Sequence, residues 1–121
     1  MHNSPDFMFA WFGLWAIGAA PAMINYNLAG KALVHCLKIS GSKILLVDND
    51  PDFLVRINEV REDIYNDFGM RTVEFDQGLR AQIASLPAIR PGDELRENVQ
   101  GGDPMCLLYT RQVLRICFAE M

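Results

Sequence analysis

At 121 residues, half of them hydrophobic and spread along the whole length, the chain has the size of one domain or part of one, which excludes disorder and low complexity. Its net charge of −4 is mild, and the acids concentrate between residues 48 and 104. With no basic patch and no Arg/Lys stripe, nucleic acid is not an expected partner. Cys36, Cys106 and Cys117 are widely spaced in apolar surroundings, which suits buried thiols in a reducing compartment and leaves neither a disulfide framework nor a zinc site.

Ser4-Pro5-Asp6 reads as a helix start, with serine at the cap, proline in the first turn and an acid against the dipole. The helix should run to about Gly18. Residues 7–24 carry no charge and could be read as a membrane span, since about 20 apolar residues cross a bilayer. Pro21 breaks that run and no cationic segment precedes it, so a buried helix and then a buried strand over 21–25 are favoured. A Trp/Phe-rich segment of this kind also suits contact with a membrane interface.

Asn25-Tyr26-Asn27 is a polar turn leading to a second helix over about 30–40, which Gly41 closes. Lys43 to Asp48 is a continuous apolar run, the mark of a strand covered on both faces. Pro51 opens a third helix whose apolar stripe is Phe53, Ile57, Val60, Ile64 and Phe68, with Gly69 as its end. Arg71 to Phe75 is a strand and Gln77 to Leu86 a short helix. Residues 87–104, rich in Pro, Gly and charge, form a loop before the strand at 105–109. The alternation predicts an α/β fold, a partial parallel sheet with helices on both faces. Ligands in such sheets bind beyond the carboxyl ends of the strands, which singles out Asn25, Asp48 and Thr110.

Several constellations resolve into structure rather than chemistry. The run from Lys43 to Pro51 looks like the opening of a phosphorelay receiver, but Asp93, the candidate phospho-acceptor, falls in a loop and a long apolar segment precedes the strand. Asp48, Asp50, Asp52 and Glu59 mimic a calcium loop, yet Phe53 stands where glycine is required. Capping of a helix N-terminus explains the same acids. His35 and Cys36 are neighbours on a helix and point about 100° apart, so they form no nucleophile–base pair. Trp11, Trp15 and Tyr26 read as core residues.

Phe9 to Gly18 with Pro21 to Leu28, Leu33 to Asp48 (Leu-Val-His-Cys-Leu-Lys-Ile-Ser-Gly-Ser-Lys-Ile-Leu-Leu-Val-Asp) and Asp103 to Thr110 (Asp-Pro-Met-Cys-Leu-Leu-Tyr-Thr) carry a resemblance. In order and spacing they resemble the fatty acid transport protein and very-long-chain acyl-CoA synthetase branch of the AMP-forming adenylating enzymes. The resemblance covers residues 7–110 and implies that 1–110 are part of an AMP-binding domain. Members of that branch activate a fatty acid with ATP and magnesium to an acyl-adenylate, then transfer the acyl group to coenzyme A. In them the Tyr-Thr pair runs into a Ser-Gly-Thr-Thr-Gly-x-Pro-Lys loop that holds ATP phosphates.

Of that nucleotide-binding motif, Leu107, Leu108, Tyr109 and Thr110 remain here. Arg111 to Met121 contain no glycine and depart from the pattern, as a frameshift, a retained intron or a mis-predicted exon would cause, and the Met1 start falls inside the family's domain. The expectation is therefore an inactive fragment of an acyl-CoA synthetase, with no catalytic residue, no metal ligand and no cofactor of its own. ATP, Mg2+, CoA and the fatty acid belong to the parent, and the resemblance implies an intracellular, peroxisomal or endoplasmic-reticulum, lipid-associated setting. The competing expectation is a non-enzymatic α/β module that uses its apolar first helix to bind a partner or a membrane.

Overall fold

The computed structural model describes residues 1–109 and, as backbone, 114–118. In chain order the elements are α1 (Pro5–Ala16), β1 (Ala22–Met23), α2 (Gly30–Ser40), β2 (Ile44–Asp48), α3 (Pro51–Asn58), α4 (Arg61–Phe68), β3 (Arg71–Phe75), α5 (Gln77–Ser85), a 3-10 turn (Asp93–Arg96), β4 (Pro104–Tyr109) and β5 (Leu114–Phe118). The α/β class is as expected. The strands, however, form two sheets rather than one: β2 and β3 pair in parallel, and β1, β4 and β5 form a second sheet in that order of sequence and space. Within it β1–β4 is parallel and β4–β5 antiparallel.

The chain divides into two compact units, one of Met1–His2 with Asn25–Pro87, the other of Asn3–Ile24 with the chain from Ala88 onward. The first unit contains α2 to α5 and the β2–β3 pair, which runs in register from Ile44 opposite Arg71 to Asp48 opposite Phe75. Its core is Leu33 and Leu37 of α2, Val47 of β2, Phe53 and Ile57 of α3, Val60, Ile64, Met70 and Phe75. Asp50 caps α3 and Asp76 caps α5, each accepting hydrogen bonds from backbone N–H groups of the first turn.

The single helix expected over 51–68 is broken at Glu59 and Val60. Glu59 N–H still reaches back to Val55, but Val60 N–H donates to Ile57, a tighter turn, and Val60 has φ −119° and ψ 1°. Val60 and Ile64 are both buried after the break, so the predicted stripe is kept while its axis is not. The run at β2 is not covered on both faces: Ile44 is 61% exposed.

In the second unit Ser4 caps α1 through Phe7 N–H, as its sequence indicates. That α1 is a buried helix is not sustained. None of its residues is buried, and Phe9 is 72% and Phe12 51% exposed. Its inner side instead carries edge-on ring contacts, Phe7 with Trp11 and Trp11 with Trp15 at centroid distances of 5.6 and 5.5 Å. Cys106 is buried and Cys36 only half-buried. Among the described residues no helix is long and apolar enough to cross a membrane.

Candidate functional site at the strand ends

In the first unit the carboxyl ends of β2 and β3 bring Asp48 beside Phe75. Asp48 accepts from the N–H of Asn49 at 3.1 Å and of His2 at 3.3 Å, and its Oδ1 lies 3.5 Å from a guanidinium nitrogen of Arg80. The Arg80 guanidinium also sits over the Phe75 ring, 4.7 Å from its centroid. Asp50 takes the N–H groups of Asp52 and Phe53 on one oxygen, and its other oxygen is 3.2 Å from His2 Nε2. The His2 ring packs on Phe53 and Tyr26, at 4.7 and 5.3 Å.

This arrangement satisfies its carboxylates internally. The His2 hydrogen bond, and then the helix N–H groups, hold the Asp50 carboxyl below the ordinary range, outweighing desolvation. A depressed folded value means that Asp50 adds stability above the usual carboxyl range, about pH 4, and loses it as pH falls through the folded value. Asp50→Asn keeps the cap, since asparagine caps helices as well, but removes this titration. Urea midpoints measured between pH 6 and pH 3 should therefore fall less steeply in the variant; parallel acid limbs would contradict the assignment.

Asn25, expected at the ligand edge, is a turn former: its Oδ1 accepts from Asn27 N–H at 2.9 Å. Tyr26 C=O in the same turn accepts from Arg56 at 2.6 Å. His2 and Arg80 escaped the sequence reading, because neither belongs to a motif and both reach Asp48 or Asp50 only through the fold. Among the described residues no three His, Cys, Asp or Glu side chains group as metal ligands.

In the second unit Leu107, Leu108 and Tyr109, three of the four residues expected to bind nucleotide, lie on β4. Leu107 and Leu108 stand opposite Ala22 and Met23 of β1 on one side and Ile116 and Arg115 of β5 on the other. Leu107 N–H donates to Pro21 C=O at 2.9 Å, and Trp15 Nε1–H donates to Met105 C=O at 2.9 Å, fixing α1 to the strand. Leu107, Leu108 and Tyr109 are half-buried, and Thr110 lies outside the described residues.

A model of the AMP-binding enzyme family matches residues 1–110. The chain belongs to that family. Over 115 residues, 89% of its length, it is 52% identical to the very long-chain fatty acid transport protein of Saccharomyces cerevisiae, and over 62 residues, 51% of its length, 55% identical to isopenicillin N epimerase component 1 of Hapsidospora chrysogena. It is 31% identical to the very long-chain fatty acid transport protein of Cochliobolus heterostrophus over 109 residues, again 89% of the chain. The chain spans 17%, 10% and 16% of the length of these relatives, respectively. No solved structure matches it.

The polar groups at the end of the β2–β3 pair bond to one another, and the sequence from Arg111 to Met121 contains no glycine.

Proposed function

We propose that the chain is a segment of an ATP-dependent acyl-CoA synthetase, one that converts a fatty acid or related carboxylic acid to its acyl-adenylate and then to its coenzyme A thioester. We also propose that these 121 residues do not catalyse the reaction by themselves. The observation that carries this is the family match ending at Thr110, where β4 has just presented Leu107 to Tyr109 in register with β1 and where the following residues contain no glycine. Adenylyl transfer needs donors that neutralise charge as the carboxylate attacks the α-phosphorus, and a glycine-rich loop is what would present them there. The relatives' names favour a lipid-associated setting.

The transcript across the codons of Tyr109 to Arg111 tests this reading together with an assay. Expected are a transcript in which Thr110 continues into Ser-Gly-Thr-Thr-Gly, acyl-CoA formation by the product of that transcript with ATP, Mg2+, fatty acid and coenzyme A, and none by the 121-residue chain. Turnover by the 121-residue chain would refute the inactivity. If every transcript encodes Arg111, the second reading gains, that of a non-enzymatic module docking through α1. The exposure of Phe9 and Phe12 favours that one.

A further inference from the structure

β4 carries no charged residue and, after Pro104, neither proline nor glycine, the composition of a segment that pairs readily with another extended chain. On one side it meets β1, which offers only Ala22 and Met23. There Leu107 N–H donates to Pro21 C=O. Backbone groups alternate along a strand, so Cys106 and Leu108 direct their N–H and C=O groups to the opposite edge. Cys106 is 3% exposed, so those groups need a partner other than water.

β5 supplies it, with Cys117 opposite Cys106 and Arg115 opposite Leu108 in an antiparallel pair. The family model stops at residue 110, so β5 is an addition to what that match covers. As the outer strand of its sheet, β5 also differs from β4 in ways that keep an edge from being extended. It is five residues long with Arg115 near its middle, and its pairing with β4 shifts register between Pro104 and Cys106, an irregularity of the kind that twists an edge away.

We propose that β5 is a cap. It occupies a strand-accepting edge on β4 through which a second copy of the chain would otherwise join, and the charge of Arg115 keeps β5 from being extended in turn. The cap concerns how the 121-residue chain is held and does not depend on the acyl-CoA synthetase reading.

Hydrogen exchange of the 15N-labelled chain, read by NMR beside sedimentation velocity under reducing conditions, tests this. Cys117→Pro removes the N–H that faces β4, and Cys117→Val, which keeps it, is the control. In the proline variant exchange at the Cys106 and Leu108 amides should quicken by on the order of a hundredfold, with Leu107, held by Pro21, still slow. That variant should also self-associate, and a synthetic peptide of residues 111–121 should bind it saturably and reverse the association while leaving the unmodified chain unbound. Arg115→Ile should keep the slow amides yet self-associate, and Arg115→Lys should not. If Leu107 also exchanges quickly in Cys117→Pro, the unit has lost its fold and Arg115→Ile decides: failure of that variant to associate refutes the cap. Fast exchange at Cys106 and Leu108 in the unmodified chain, or a folded Cys117→Pro variant that associates no more than the unmodified chain, overturns the proposal as well.

Discussion

Truncating Ile64 to alanine is expected to lower the stability of the β2–β3 unit by about 3 kcal/mol, inside the roughly 2–5 kcal/mol found for buried aliphatic side chains. Ile64 is 0% exposed, and Leu37 and Met70, each at 1%, are the other most deeply buried large side chains. Its own carbonyl is held by the N–H of Met70, the residue that leads from α4 into β3. The backbone around the vacated space is thus fixed from within and can collapse little, which places the cost above the transfer of the lost methyls alone. Urea unfolding at constant m-value reads the effect. Ile64→Val should cost about 1 kcal/mol, and Ile44→Ala, at a 61% exposed position, should be close to neutral. An alanine variant no weaker than the valine one would show that this core repacks freely.

Gly18→Ala is expected to cost about 3 kcal/mol, by two additive routes. Gly18 has φ +75°, a left-handed conformation that costs a non-glycine residue roughly 1–3 kcal/mol when it is imposed. A Cβ there would also stand 2.9 Å from the carbonyl oxygen of Leu95 and 3.0 Å from a methyl of Val99. The first of these is backbone in the 3-10 turn and cannot swing aside, so overpacking adds a further ~1–3 kcal/mol. Trp11 and Trp15 both lie on α1 in the same unit, so tryptophan fluorescence during denaturation reports the loss. Gly102→Ala, where an added Cβ meets nothing within 4 Å and φ is not positive, serves as the control. Equal midpoints for the two alanine variants would refute the strain at Gly18.

Local chemistry explains which features the sequence made legible. Ser4, Asp50 and Asp76 bond to N–H groups two or three residues away, and Gly41 and Gly69 turn the chain at φ 64° and 66°, so these five helix ends are specified by their own neighbours. The break at Val60 has no such marker: no Gly or Pro stands there, and both halves keep the same apolar face. Covering of β2 and burial of α1 were inferred from apolarity, which says that a surface prefers to be dry and not what lies against it. Sheet order was hidden for the same reason, since β1 pairs with a strand near the other end of the chain. The strand expected at 105–109 was legible as a short apolar run, and β4 spans Pro104–Tyr109. His2 was not, because its partners Asp48 and Asp50 lie 46 and 48 positions away.

The way the two units share the chain also sets a timetable. Asn25–Pro87 is almost the whole of one unit and lies, in sequence, between the two stretches that form the other. During vectorial synthesis the β2-α3-α4-β3 segment has every partner it needs as soon as it leaves the ribosome, and its closures are short. Ala22 and Met23 emerge long before their partners Leu107 and Leu108. The nascent chain must therefore carry α1, with Phe9 and Phe12 bare and Trp15 still without the Met105 carbonyl, until β4 has been made. That interval is when a chaperone has most to hold.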